Sequence, residues 1–375
     1  MESTITTAAT EYAKRPKDER YPSVAALVEA AQQQREASAE RTYNLRDLQA
    51  VGDSQAVRLA SPKGIATFSH WAFGQMCRTI GAPASYLREL PAQLAANCIN
   101  HGISAAPVGT QATLLVQAPN GKPEPTIRAC TSDSYGRVWD SELYSAVQQT
   151  IVARDDRWTL PPTWSGEAAG AYRGDRDSFL ILVNGGSIVT DPSLASGTTT
   201  QRGTTGPGSA MFRGLLIRNS EVGASSITIE SILYRYICGN HMLWGAVMDK
   251  RFRRRHVGTR VVRDAIREIN TFAYSFVNQS AERDNAIIRG LIDRELAATR
   301  EAVVDELRAI GATREQAEAA YSTCEQVEAA SPRSFWGLAQ GLTRNSQATG
   351  YQDERFQLDQ LAAKVLTRGA KLVAA

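Results

Sequence analysis

The chain has 375 residues, 43% of them hydrophobic and 22% charged, with a formal net charge of +3; this is the balance of an ordinary soluble globular protein with enough apolar side chains for a sizeable core. That length suits two or three domain-sized units or one large one. No apolar run approaches the roughly 18 to 20 residues that cross a bilayer, and residues 1–7 (MESTITT) have neither the basic segment nor the apolar core of a secretory signal, so a cytoplasmic location is expected.

Residues 1–20 are Thr- and Ala-rich, then charged, and read as a mobile arm. Residues 22–37 place Val24, Leu27, Val28 and Ala31 at helical spacing after a Pro-Ser start. From 69 to 101 the pattern is helical in pieces: Ser69 caps a stretch holding Trp71, Phe73, Met76, Cys77 and Ile80, Gly81 to Pro83 breaks it, and Pro91 suits a first helical position. Two apolar runs, 112–117 and 126–130, flank Asn120-Gly121 and predict a hairpin. Asp140 or Ser141 is placed to cap a helix carrying Leu143, Tyr144, Val147 and Ile151. Strands are expected at 179–183, with Ile188 and Val189 as an extension, at 211–217 and at 226–237. The Gly/Thr-rich segment 196–209 between the first two reads as a loop with one cation, Arg202.

From about Thr259 the chain turns helical. Val262, Ala265, Ile266, Ile269, Phe272, Ala273 and Phe276 keep an i, i+3, i+4, i+7 pattern. The stretch 259–330 reads as either a long arm or two or three packed helices, Gly311 ending one of them and Thr313 capping the next, and a final helix is expected near 353–367. The fold class that follows is α+β: a mixed or antiparallel sheet of about five strands, because strands cluster instead of alternating with helices. The divisions are a mobile arm at 1–20, a helical N-terminal block at 21–110, an α+β core at 111–258 and a helical region at 259–375.

Most reaction chemistries lack their residues. There is no GxxxxGK[ST], no GxGxxG after a strand and no GxSxG. The five cysteines (Cys77, Cys98, Cys130, Cys238, Cys324) are odd in number and scattered, with no CxxC. Cys238 and His241 have a metal-sharing spacing but no second pair, and read as structural. No cofactor and no metal site is expected. A metal-dependent nuclease needs clustered carboxylates; the candidates are Asp133 with Asp140, where capping suffices, Asp175 with Asp177 in a charged loop, and Glu221 with Glu230 around a turn.

The sharpest feature is the run from Lys250 to Arg260. Lys250, Arg251, Arg253, Arg254, Arg255 and Arg260 are six cations in eleven positions with no acid among them. Arginine forks fit phosphate oxygens two at a time, and Arg263 and Arg267 continue the charge on the face of the helix that follows. Arg202 and Arg213 are secondary phosphate candidates, and Tyr234, Tyr236 and Phe252 are placed to stack on bases. Against this stands a solvated face whose arginines pair with acids such as Asp264 and Glu268.

Four segments, Ser69 to Leu87 (SHWAFGQMCRTIGAPASYL), Ser132 to Asp140 (SDSYGRVWD), Arg218 to Ile227 (RNSEVGASSI) and Cys238 to Met242 (CGNHM), resemble a phage/plasmid-like protein family labelled as a domain of unknown function. The resemblance covers roughly residues 65–310; it implies a mobile-element setting and supplies no catalytic residues. At the level of shape, a helix, a clustered antiparallel sheet with a long hairpin and a basic strand-to-helix passage resemble the Rad52-type single-strand annealing proteins, which form rings and hold single-stranded DNA without nucleotide hydrolysis. The modest net charge departs from that group, and no motif matches it residue by residue. The expected function is single-stranded DNA binding, with annealing or recombination as its use and a homo-oligomer as its form. The alternatives are a metal-dependent nuclease using Glu221, Glu230 and a nearby aspartate, and a structural or interaction protein of the mobile element whose arginines meet an acidic partner.

Overall fold

The computed structural model describes residues 16–374 apart from 54–55, 119–123, 162–169, 191–209, 238–239, 245–251, 259–260, 278–281, 328–329 and 349–351. Ser23 begins the first helix, α1 (Val24–Glu36), its hydroxyl accepting from the Ala26 amide. The chain then forms β1 (Ser38–Asn44), β2 (Gln49–Gly52), β3 (Val57–Ser61) and β4 (Gly64–Phe68), followed by α2 (His70–Thr79), α3 (Ala84–Glu89), α4 (Ala92–Ala105), β5 (Gln111–Gln117) and β6 (Thr126–Thr131). The six strands make one sheet in the order β1-β5-β6-β4-β3-β2, antiparallel except where β4 meets β6. Leu45, Leu59, Phe73, Met76, Ile99 and Leu114 build its core beneath α2 and α4. Asn100 of α4 hydrogen-bonds both the N–H and the C=O of Ala50, closing the β2 edge.

The helical pieces expected in this N-terminal part are present, and β1 to β4 join them. The pattern of β1 (SAERTYN) is faint because all seven of its residues are exposed or half-buried. A strand that buries neither face cleanly shows no period-2 alternation.

A second sheet follows α5 (Asp140–Val147), which a π-helical turn over Gln148–Val152 extends. Its strands are β7 (Trp158–Thr159), β8 (Ala171–Arg173), β9 (Ser178–Thr190), β10 (Ala210–Asn219), β11 (Ile227–Ile237), β12 (Asn240–Trp244) and β13 (Phe252–Arg254). Their order is β12-β11-β10-β9-β7, with β8 also on β9 and β13 also on β11. Leu215 and Ile217 on β10 lie opposite Leu182 and Leu180 on β9. One face of this sheet is covered by α1, by α5 and by α6 (Val261–Val277), through Leu27, Tyr144, Val147, Ala265 and Ile269. Of the apolar period read from Val262 to Phe276, Ala265 and Ile269 are buried against the strands.

A third core is helical: α7 (Glu282–Asp293), α8 (Arg300–Ala309), α9 (Arg314–Val327), α10 (Phe335–Ala348) and α11 (Gln352–Ala374), packed on Leu291, Val303, Leu307, Trp336 and Val365. Gly311 has φ 110° after α8, the left-handed region that terminates helices at low cost for glycine. Thr313 and Gln316 exchange side-chain and backbone hydrogen bonds at the start of α9. The class is α+β. No helix among the described residues is long and apolar enough to cross a membrane.

Candidate functional site

The two sheets meet at a seam of buried charge. On the first sheet, Leu115 faces Ala129 and Val116 faces Ile127, so Arg128 is the extra residue of a β-bulge. Bulges re-aim side chains, and Arg128 reaches out of its sheet to Glu221, 2.9 Å away. Glu221 lies in the turn after β10. Its other oxygen accepts the Asp140 amide at 2.9 Å, which makes it the cap of α5. The capping expected of Asp140 or Ser141 is thereby corrected: the cap comes from a residue 81 positions away, beyond the reach of local sequence reading.

Asp140 is freed for another task. Its Oδ1 accepts from Ser178 Oγ and Asn219 Nδ2, both at 2.7 Å, and its Oδ2 accepts from Arg173 Nε at 3.1 Å. Arg173 also approaches Glu221 at 3.7 Å and donates to Gln34 of α1. Arg137 donates to the Glu221 carbonyl and pairs with Glu40 of β1 at 2.9 Å. Three cations (Arg128, Arg137, Arg173) thus meet three anions (Asp140, Glu221, Glu40), tying β1 and β6 of one sheet to β8, β10 and α5 beside the other. Asp140 is 4% exposed and Glu221 3%. Around them Trp71 and Gln75 of α2 both donate to the Val222 carbonyl, at 3.0 and 2.7 Å, and Leu115, Ala129, Val222, Trp71 and Trp139 form a small apolar cluster. Three of the four segments that carry the family resemblance, 69–87, 132–140 and 218–227, therefore converge here.

Burial governs the protonation chemistry. Desolvation, then the nearby Glu221 charge, raises the Asp140 carboxyl from 3.8 to about 6. Desolvation lowers Arg128, only partly offset by Glu221. Burial also opposes the Arg173 charge, but Asp140 and Glu221 outweigh it and hold that guanidinium above its ordinary value. His256, 5% exposed, is lowered from 6.5 to about 4 by desolvation, against its bond to the Gly136 carbonyl.

These two groups act on stability with opposite signs. A raised carboxyl contributes stability that is complete below its unfolded value and lost as pH rises through about 6. A lowered imidazole contributes stability present above 6.5 and lost as pH falls through about 4. Asp140→Asn is therefore expected to cost less stability at pH 7 than at pH 4.5, and His256→Phe to cost more at pH 7 than at pH 4.5. Thermal midpoints of both variants and the parent at the two pH values check this; equal costs at both would contradict it.

The basic run passes beside this seam. β13 pairs with the start of β11, Arg254 opposite Ile227 and Arg253 opposite Thr228. Arg254 is tied to Asp264 of α6 at 2.8 Å, one of the acids foreseen as a partner, so it joins two elements instead of standing free. Arg253, Arg255, Arg263 and Arg267 are exposed. Among the described residues none of these four has an ion-pair partner. Arg263 and Arg267 are four apart on α6, opposite the buried Ala265 and Ile269.

Other expectations fare differently. Arg213, read as a phosphate contact, is 1% exposed. It falls at the register shift between Phe212 and Gly214 on β10, and the structure corrects that assignment: a guanidinium buried to this extent cannot meet a polymer in solution. Tyr234 and Tyr236 lie two apart on β11, opposite Leu243 and His241 of β12; their side chains, and that of Phe252, are outside the described residues. So are Arg202, Lys250, Arg251 and Arg260, together with Cys238. Among the described residues no group of three or more His, Cys, Asp or Glu could hold a metal.

Residues 132–362 match a family described as a domain of unknown function, DUF932. No curated protein and no solved structure matches the chain. The matched region begins at the 132–140 segment and includes Arg137, Asp140, Arg173, Glu221 and His256. Arg128, Trp71 and Gln75, which grip it from the first sheet, lie before it.

Proposed function

The chain belongs to the DUF932 family, and from its own residues we propose that it binds single-stranded nucleic acid, DNA being the expected form, on an arginine surface that runs from β13 onto α6. The observation that carries this reading is the set of four exposed guanidiniums, Arg253, Arg255, Arg263 and Arg267, without ion-pair partners among the described residues. Arg254 and Asp264 fasten the two elements that bear them. Phosphates along a strand call for such a series, and the contacts would be insensitive to sequence. Lys250, Arg251 and Arg260, which lie outside the described residues, adjoin the four in the sequence.

Annealing, in a phage or plasmid setting and without nucleotide hydrolysis, is the use we propose for that binding. Multimers would give a short basic site reach along a strand. A nuclease is the weaker reading, because Glu221 is engaged by Arg128 and by the Asp140 amide rather than presented to a metal.

Anisotropy of a labelled oligo(dT) at low salt, in chelator and then in magnesium, tests this directly. Saturable binding with the oligonucleotide intact in both is expected; cleavage only in magnesium would favour the nuclease, and no binding would end the proposal.

A further inference from the structure

The end of the basic run is held by a device that the surface charge alone does not explain. Gly136 donates to the His256 carbonyl at 3.1 Å, and Gly258 donates to the Ser134 carbonyl at 3.2 Å. Tyr135 and Val257 form an isolated antiparallel bridge. The His256 ring lies on the Tyr135 ring with centroids 5.2 Å apart and planes 24° from parallel, while His256 Nδ1 is 3.3 Å from the Gly136 carbonyl. Gly258 has φ 81°, a left-handed conformation that turns the chain away at once and that side chains resist.

The Tyr135 hydroxyl donates to the Ser220 carbonyl at 2.8 Å. Arg137 lies 5.3 Å from the Tyr135 ring and 5.8 Å from that of Trp139, and donates to the Glu221 carbonyl. β13 has only three residues, too few to orient its own side chains firmly. Its C-terminal end is anchored by the buried His256.

We propose that Tyr135 and His256 are positioning residues, a clamp that holds Arg253 and Arg255 on the buried charge network so that both face successive phosphates of a bound strand. This deepens the nucleic-acid reading and rests on it. Pre-organised donors lose less entropy on binding than mobile ones, so the clamp sets affinity without touching the polymer.

The test is labelled oligo(dT) binding as a function of salt, with thermal unfolding of each protein as a control for folding. Tyr135→Leu, which removes the ring, is expected to weaken binding on the order of tenfold and to lower the salt slope by about 0.7 for each phosphate no longer held. Tyr135→Phe and His256→Phe keep the ring stack and are expected to retain near-parental affinity and slope. Should Tyr135→Leu fail to fold, His256→Ala against His256→Phe makes the same comparison. A folded ring-deleted variant with parental affinity and slope would overturn the clamp. If Arg253→Ala with Arg255→Ala weakens binding while ring deletion does not, the clamp fails alone. If the parent binds no oligonucleotide, the function proposed above fails and takes the clamp with it.

Discussion

Replacing Glu221 by alanine is expected to lower the stability of the fold by about 3 to 5 kcal/mol, the usual cost of removing one partner from a buried ion pair. Glu221 is 3% exposed and pairs with Arg128 while capping α5 through the Asp140 amide. Its loss leaves the Arg128 guanidinium buried without its counter-ion and the first turn of α5 uncapped. The thermal midpoint should fall on the order of 10 °C. Glu318→Ala, which removes an exposed pair with Arg314 one helical turn away, should leave the midpoint where it was. Similar midpoints for the two variants would mean that the seam contributes no more than a surface pair. Because Arg128 belongs to the first sheet and Glu221 to the turn that follows β10 of the second, the loss should also appear in hydrogen exchange as weakened protection on both sides of the seam.

The second large effect is on binding. The variant carrying Arg253→Ala, Arg255→Ala, Arg263→Ala and Arg267→Ala is expected to lose affinity for single strands by on the order of a hundredfold or more at low salt, because each charge-assisted phosphate interaction goes with its counterion release. All four side chains are exposed, so the fold should be unchanged, with the same far-ultraviolet dichroism and thermal midpoint. Arg300→Ala serves as a control of the same chemistry on α8, where Arg300 hydrogen-bonds Ser322 and covers Tyr321. It should bind as the parent does. Equal affinity of the quadruple variant and the parent would move the site elsewhere.

Much of the architecture is legible in the chain because local rules and burial agree there. Ser23 and Ser69 cap their helices, the Thr313 capping box starts α9, and the stripe through Ala265 and Ile269 is the buried face of α6. β1 is illegible because its side chains are mostly polar and none is buried, and β2 to β4 because four or five residues are too few to establish a period. The seam is illegible for a different reason: its partners are far apart in sequence, 81 positions between Asp140 and Glu221 and 85 between Tyr135 and Ser220. Single-sequence reading sees Asp140 as a cap and Glu221 as a carboxylate beside a turn. A usable signal does exist. Arg128 stands between Ile127 and Ala129 in a strand otherwise fit for a core, and Arg173 closes the short buried strand β8. A charge in such a position must be paired. Arg213 shows the converse error, since its strand buries it while its charge suggests a surface.

The most direct test is the affinity of the parent protein for oligo(dT) measured across a salt series in chelator. Four phosphate contacts by Arg253, Arg255, Arg263 and Arg267 give an expected log–log slope of about −3 or steeper, since each contact on a single strand contributes about −0.7. No binding at the lowest salt, or an affinity that does not change with salt, would contradict an arginine surface built for single strands.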